Sequence, residues 1–178
     1  MRKRSLSELN RLSVAEFKTR PKTPIVLVLD NVRSALNVGS AFRTADAFAI
    51  ERIFLCGITA QPPNKEINKT ALGATETVAW TYNSDPAEVV KKLQSDGYQV
   101  LAAEQAEGSI QLQDFVPLRS EKYALVFGNE VNGVSESVMD LVNNCIEIPQ
   151  FGTKHSLNIS VCVGIVVWEL FIKILNAK

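Results

Sequence analysis

The sequence has few of the residues on which several common kinds of site depend. It contains one histidine and three cysteines, Cys56, Cys145 and Cys162, which are widely spaced and lie in apolar surroundings. An odd and scattered set of cysteines argues against a disulfide framework and a zinc site, and it fits a reducing cytoplasm. His155 and its neighbour Ser156 cannot easily form the nucleophile-to-base hydrogen bond of a catalytic triad. We therefore expect no metal site, no disulfide and no triad.

Long apolar runs and net charge are lacking too. The most apolar run, residues 159–168, has ten residues, whereas a membrane-spanning helix needs about 20. The net charge is zero, but residues 1–22 hold seven Lys or Arg and only two Glu. We predict a basic helical arm over residues 1–23, which either binds nucleic acid or is merely solvated, and one domain over 24–178.

Apolar spacing predicts strands that alternate with helices. The predicted strands are 25–29, 52–56, 78–82, 98–103, 123–127 and 145–148, and the predicted helices are 6–17, a helix from 37, 86–94, 135–142 and 156–175. Residues 57–73 form a long connection without clear periodicity. This alternation indicates an α/β fold, with a mostly parallel sheet and helices on both faces. The last helix is apolar on nearly all sides, so we expect a second copy of the chain to cover one side; the alternative is a core helix of a monomer.

Three clusters of Gly, Asn and Ser lie beside these elements. They are Asn37-Val-Gly-Ser-Ala-Phe-Arg43, Phe127-Gly-Asn-Glu-Val-Asn-Gly-Val-Ser135 and Ile148-Pro-Gln-Phe-Gly-Thr-Lys-His-Ser-Leu-Asn-Ile-Ser160. Open α/β sheets bind ligands in loops at the carboxyl ends of parallel strands. The second cluster lacks both GxGxxG and GK[ST], so a neutral or cationic ligand fits it better than a phosphate.

Five polar residues in these clusters are candidates for chemistry. Asn37 is a competent N-cap, and Arg43 offers planar donors that suit a phosphate, although a surface role is the alternative. Glu130 can hold a hydroxyl or organise the neighbouring loop. Ser156 and Asn158 both suit the start of the last helix, but only one of them can be its cap.

Taken together, the three clusters resemble the SpoU (TrmH-like) branch of the SPOUT superfamily, the RNA 2′-O-ribose methyltransferases, over residues 24–175. The resemblance implies a homodimer and a deep C-terminal trefoil knot that binds S-adenosylmethionine (AdoMet). The implied AdoMet-binding positions are Gly128, Ile148, Leu157 and Ala103. The implied catalytic neighbourhood is Asn37, Arg43, Glu130, Ser156 and Asn158. Arg43 acts there as base or as positioner, and a guanidinium pKa above about 12 favours the positioner.

The RNA substrate is less defined than the reaction. The segment Lys69-Thr-Ala-Leu-Gly-Ala74 is similar to that of transfer-RNA ribose methylases, which makes tRNA the first expectation and rRNA the second. A non-catalytic knotted RNA-binding protein and a base methyltransferase are the alternatives from other functional classes.

Overall fold

A seven-stranded parallel sheet forms the centre of the protein. The computed structural model describes residues 1–5 and 7–176. The strands are β1 (Thr23–Asp30), β2 (Ile50–Cys56), β3 (Trp80–Asn83), β4 (Tyr98–Ala103), β5 (Ile110–Gln111), β6 (Lys122–Phe127) and β7 (Asn144–Glu147). Their spatial order is β3-β2-β1-β6-β4-β7-β5, and each pairing is parallel. The predicted parallel α/β architecture is confirmed.

Helices cover both faces of this sheet. They are α1 (Val14–Thr19), α2 (Ala35–Ala47), α3 (Lys65–Ala71), α4 (Ala74–Thr77), α5 (Pro86–Ser95), α6 (Glu136–Met139) and α7 (Ile159–Asn176). Residues of α2, α3 and α7 share one apolar cluster, and residues of α5 and α6 share the other. The two clusters are therefore the cores above and below the sheet.

Strand β1 explains how the sequence builds both cores at once. Ile25, Leu27 and Leu29 belong to the α2/α7 core, whereas Val26 and Val28 belong to the α5 core. Successive side chains of a strand point to opposite faces. An unbroken apolar run is thus what a strand covered by helices on both sides requires.

The N-terminal arm differs from the predicted single helix over residues 6–17. It has a short 3-10 helix at Ser7–Leu9 and then α1, which begins after Ser13. The Ser13 hydroxyl and the Glu16 side chain form a capping box that starts α1 at this point. Leu6, which the prediction placed on the apolar face of that helix, lies outside the described residues.

Two other helix starts were also predicted wrongly. Helix α2 begins at Ala35, two residues before the expected start, and its N-cap is Ser34 and not Asn37, because the Ser34 side chain accepts the Asn37 N–H at 3.3 Å. Helix α7 begins at Ile159 and not at 156.

The long connection 57–73 contains helix α3, which packs closely on α2 at Gly39. A Cβ at position 39 would overlap Thr70 Oγ1 and the Ile67 carbonyl oxygen. The absence of a side chain at Gly39 thus allows α2 and α3 to pack closely, and it is not needed for the approach of a ligand.

Helix α7 has one buried and one exposed apolar side. Six of its residues are buried, whereas Val161, Ile165 and Trp168 are 48%, 37% and 51% exposed. The exposed Trp168 ring lies 5.8 Å from the ring of Phe48. By length and composition alone, the whole of α7 could cross a membrane, so its apolar character extends beyond the ten-residue run 159–168. Its buried side nevertheless packs into the core, as in a helix that belongs to a folded domain.

The edge strand β5 is short and is fastened to the C-terminal helix. The Lys173 ammonium donates to the carbonyl oxygens of Leu112, Gln113 and Phe115 at 2.9, 2.8 and 2.9 Å. It also lies 3.1 Å from a carboxylate oxygen of Glu169. Lys173 therefore holds the chain that leaves β5 against α7.

Candidate active site

A cavity of about 680 Å³ opens at the carboxyl ends of β4, β6 and β7. Three loops line it, namely residues 103–105, 128–134 and 148–158, together with the start of α7. The volume lies within the range that small-molecule sites occupy. The position is also the one at which open parallel sheets bind ligands.

Most of the residues that the sequence singled out meet at this cavity. The lining includes Ala103, Gly128, Glu130, Ile148, Ser156, Leu157 and Asn158. Asn37 is not among the lining residues, but its side-chain amide donates to Glu130 at 3.0 Å. Arg43 lies six residues further along α2, about 9 Å at 1.5 Å per residue, and is exposed. The structure does not bring Arg43 to the cavity of its own chain.

Glu130 connects the loop after β6 to the start of α2. Its two carboxylate oxygens accept the backbone N–H groups of Arg33 and Ser34 at 2.9 and 3.0 Å. Burial raises the pKa of Glu130, but the hydrogen bonds from the start of α2 outweigh this, so the pKa lies below its usual value. A carboxylate at a helix N-terminus is also favoured by the helix dipole. Glu130, which lies between Gly128 and Gly133, therefore holds the loop 128–134 against the residues that precede α2.

The loop 128–134 folds back on itself against the cavity. Asn129 and Gly133 exchange two backbone hydrogen bonds of 2.8 and 2.9 Å. Gly128 lies so close to the returning chain that a Cβ would overlap Gly133 and Val134. Glycine at 128 is thus required by the loop's own backbone, whatever ligand the loop binds.

A buried polar group beneath this loop went unnoticed in the sequence. Asp30, at the end of β1, is fully buried and accepts the Ser135 N–H at 2.8 Å. The next residue, Asn31, offers its carbonyl oxygen to the Asn129 side chain at 2.7 Å. These bonds tie both ends of the 128–134 loop to β1. The only signal in the sequence was an acid directly after an apolar strand run.

The two candidate caps of α7 have separate places. Asn158 Oδ1 accepts the Ser160 N–H at 2.9 Å, so Asn158 is the N-cap. Ser156 lies before the helix, on the cavity wall. The Gln105 side chain holds this loop by donating to the His155 carbonyl oxygen at 3.1 Å. Ser156 is thus available to a ligand, while the Asn158 side-chain oxygen is already used.

Glu104 is a second acidic wall residue, and no motif in the sequence marked it. Its carboxylate accepts the N–H groups of Val134 and Gln105 at 3.0 and 2.9 Å. Among the described residues that line the cavity, His155 is the only basic one, against Glu104 and Glu130. Acidic groups, exposed peptide groups and apolar walls together suit a neutral or cationic organic ligand.

Comparison with known proteins assigns the chain to a family. Residues 24–168 match the model of the SpoU rRNA Methylase family. The chain is 31% identical over 173 residues to the 23S rRNA (guanosine-2'-O-)-methyltransferase RlmB of Vibrio parahaemolyticus, covering 96% of this chain and 68% of that protein. Other curated relatives are covered to a smaller extent, for example 57% of the RlmB of Neisseria meningitidis and 64% of that of Vibrio vulnificus.

Solved structures share the fold. The AdoMet-bound rRNA methyltransferase of Sinorhizobium meliloti matches with a TM-score of 0.77 at 28% identity, over 84% of this chain and 56% of that chain. The A. aeolicus TrmH/SpoU tRNA modifying enzyme matches with a TM-score of 0.78 over 90% of this chain and 79% of that chain. At 24% identity, the second match shows the fold alone.

Fold and site define the class of AdoMet-dependent RNA methyltransferases built on a parallel α/β sheet. The predicted resemblance to the SpoU family is confirmed. Within this class, the chain belongs to the SpoU rRNA methylase family.

Proposed function

We propose that the protein methylates a ribose 2′-hydroxyl of RNA, with AdoMet bound in the cavity at the ends of β4, β6 and β7. The observation that carries this proposal is the meeting of seven predicted site residues on one cavity wall in a chain of the SpoU family. The RlmB relatives are named as guanosine-2'-O-methyltransferases, which supports ribose as the acceptor and not a base.

The cavity fits AdoMet in size and in charge. At about 680 Å³ it can enclose a nucleoside with an amino-acid tail. AdoMet carries a net positive charge, and the wall carries more acidic than basic side chains. Gly128, Ile148, Leu157 and Ala103 supply peptide groups and apolar surface for this ligand. When bound, AdoMet supplies a methyl carbon that is electrophilic because of the adjacent sulfonium.

The chain's own task is to place and activate the hydroxyl. A ribose hydroxyl is a weak nucleophile, so it must be oriented in line with the methyl group and must lose its proton. Ser156, exposed on the cavity wall, is our candidate to orient the ribose. Glu130 and Asn37 act by positioning, since their side chains bond to each other and to α2.

Arg43 is proposed to bind the RNA phosphate beside the acceptor ribose. Its exposed guanidinium suits a bidentate phosphate contact and resists deprotonation. Because Arg43 lies outside its own chain's cavity, RNA must lie along α2, or Arg43 must serve the cavity of a second copy. Mixing inactive Arg43→Ala chains with inactive Ser156→Ala chains separates these cases. Recovered activity supports the second, and none supports the first.

Ribosomal RNA is the substrate we propose. The preference for tRNA drawn from residues 69–74 is not confirmed, and relatives that cover most of the chain are named as 23S rRNA enzymes. We expect the protein to act in the cytoplasm, where its free Cys56, Cys145 and Cys162 stay reduced.

Transfer of labelled methyl from AdoMet to unmodified rRNA and, separately, tRNA tests the function. After digestion to nucleosides, a labelled 2′-O-methylnucleoside from rRNA is the expected result. Label from tRNA alone would contradict the substrate, and label on a base would contradict the acceptor. AdoMet binding without transfer to either RNA would favour a non-catalytic knotted RNA-binding protein.

A homodimer through α7 is part of this proposal. The stripe of Val161, Ile165 and Trp168 recurs at helical spacing and leaves apolar surface exposed. The substitution Trp168→Glu places a charge in this apolar stripe, so the variant should sediment as a monomer in sedimentation-velocity experiments. Ile58→Glu, at a 67% exposed apolar residue outside the helices, is the control and should sediment as the wild type does. Identical sedimentation of both variants would contradict the dimer.

We also propose that residues 128–158 thread into the deep trefoil knot expected for this family. The bond between Gln105 and the His155 carbonyl oxygen, which fastens the last loop beside β4, supports it. Joining the chain ends covalently and unfolding the product tests it. A closed knotted chain stays more compact in small-angle scattering than a closed unknotted one.

The basic arm, residues 1–23, is proposed as a separate segment that contacts RNA beside the domain 24–178. Arg11, Lys18 and Arg20 are exposed on it. Replacing these three by Gln should lower the salt dependence of RNA affinity, since each phosphate contact contributes about 0.9 to the logarithmic slope on duplex. An unchanged slope would show that the arm is merely solvated.

A further inference from the structure

Glu104 has a fixed place on the cavity wall. The two N–H groups that its oxygens accept, from Val134 and Gln105, come from different loops and fix the orientation of the carboxylate. Gly133 leaves room for it, since a Cβ at 133 would overlap Glu104 Oε2. A carboxylate has about four acceptor sites, so two hydrogen bonds leave it able to act on a ligand.

The negative charge of Glu104 is stabilised by fewer hydrogen-bond donors than that of Glu130, the other acidic residue on the cavity wall. The Glu130 carboxylate accepts three donors at the start of α2, which favours the negative charge where it lies. Glu104 has only two backbone donors and is half-buried on the cavity wall. Burial raises the pKa of the lining residue Cys162 to about 11, and the charge of Glu104 adds to this rise. Glu104 and Cys162 thus line the same cavity and interact electrostatically.

We propose that Glu104 makes the cavity prefer the cationic AdoMet over its neutral-sulfur product, S-adenosylhomocysteine (AdoHcy). This inference rests on the proposed function, and it adds a specificity-determining residue to that site. The two ligands share their adenosine and their amino-acid tail. They differ in the methyl group and in the single positive charge on sulfur. The ratio of their affinities therefore measures how strongly the cavity wall favours binding of that charge.

The reaction itself changes this charge. The methyl carbon leaves sulfur without electrons and bonds to the ribose oxygen, while sulfur keeps the electron pair of the broken bond. The hydroxyl proton passes to solvent. The ligand on the cavity wall thereby goes from net positive to net neutral, and a fixed carboxylate loses its attraction for it. Glu104 thus favours entry of the substrate form and departure of the product form.

Isothermal titration of AdoMet and of AdoHcy, each without RNA, measures the preference directly. In Glu104→Gln we expect the ratio of AdoMet to AdoHcy affinity to fall by about tenfold, which corresponds to ~1.4 kcal/mol. Glu107→Gln changes the same net charge three residues further on, at an exposed side chain that does not line the cavity. We expect this control to keep the wild-type ratio.

The glutamine variant also disturbs the loops, because its NH2 group faces one of the two N–H donors. Such loosening weakens both ligands alike and leaves the ratio unchanged. Glu104→Asp keeps the charge and should retain most of the preference. Equal weakening of both ligands in Glu104→Gln, or an equal loss of preference in the aspartate variant, would overturn the charge role. A wild-type protein that binds neither ligand would instead overturn the proposed function, and the role of Glu104 with it.

Discussion

Replacing Glu130 by glutamine tests whether this carboxylate joins the β6 loop to α2. Glutamine keeps one acceptor oxygen, but it presents an NH2 group where the other carboxylate oxygen accepted a hydrogen bond. One N–H, of either Arg33 or Ser34, then faces a donor and loses its 2.9 or 3.0 Å partner. The start of α2 and the 128–134 loop should separate locally.

The expected cost follows from the number and exposure of these bonds. Removing the partner of a hydrogen bond to a charged group costs about 1.5–3 kcal/mol in a buried setting. Glu130 is exposed, and solvent can replace part of what is lost. We therefore expect the free energy of unfolding to fall by ~1–2 kcal/mol, with AdoMet binding weakened because the loop lines the cavity.

Urea unfolding at pH 7, followed by circular dichroism, measures this change. The control is Glu107→Gln, whose wild-type side chain makes no hydrogen bond or ion pair within residues 1–5 and 7–176; its midpoint should not move. Asn37→Ala completes a double-mutant cycle, in which we expect a coupling energy of ~0.5–1 kcal/mol. An unchanged midpoint in Glu130→Gln together with additive effects in the cycle would refute the positioning role.

Three further outcomes are expected. Gly39→Ala should lower the free energy of unfolding by ~1–3 kcal/mol in thermal melts, despite the better helix propensity of alanine, because the new Cβ overlaps Thr70 and α3; a rise would contradict the crossing. Asn158→Ala should cost ~1 kcal/mol as a lost cap. Asn158→Ser should restore stability, and turnover that returns with it argues for capping alone, whereas turnover that stays low argues for a contact with RNA. Because the pKa of Glu130 is lowered from 4.5, its stabilisation is complete above about pH 4.5 and is lost as pH falls through the folded value, so Glu130→Gln should flatten the acid limb of the stability profile.

The strands and the cavity position could be predicted because they depend on local patterns. Residues 25–29 and 123–127 are apolar without a break, and such runs have few alternatives to a buried strand. Once these strands are parallel, the loops that follow them must meet at one edge of the sheet. The gathering of Gly128 and Ser156 at one cavity followed from this rule together with the family resemblance.

The misplaced elements depend on partners far away in the sequence. Helix α2 begins after Ser34 partly because Glu130, 96 residues later, accepts the Ser34 N–H. The two-residue strand β5 exists through its pairing with β7. Glu104 carries no local motif, since a single acid after a strand is common. Its place on the cavity wall depends on how Val134 folds back, which no spacing in the sequence shows.

The clamp formed by Lys173 has a consequence for solubility. A strand at the border of a sheet presents unsatisfied backbone groups, to which another molecule can add a strand. Strand β5 is two residues long, and the carbonyl oxygens that follow it already accept hydrogen bonds from the Lys173 ammonium. An incoming strand would have to displace a charged group that α7 holds in place. Helix α7, through which we propose that two copies pair, thus also hinders the unspecific addition of strands at the open border of the sheet.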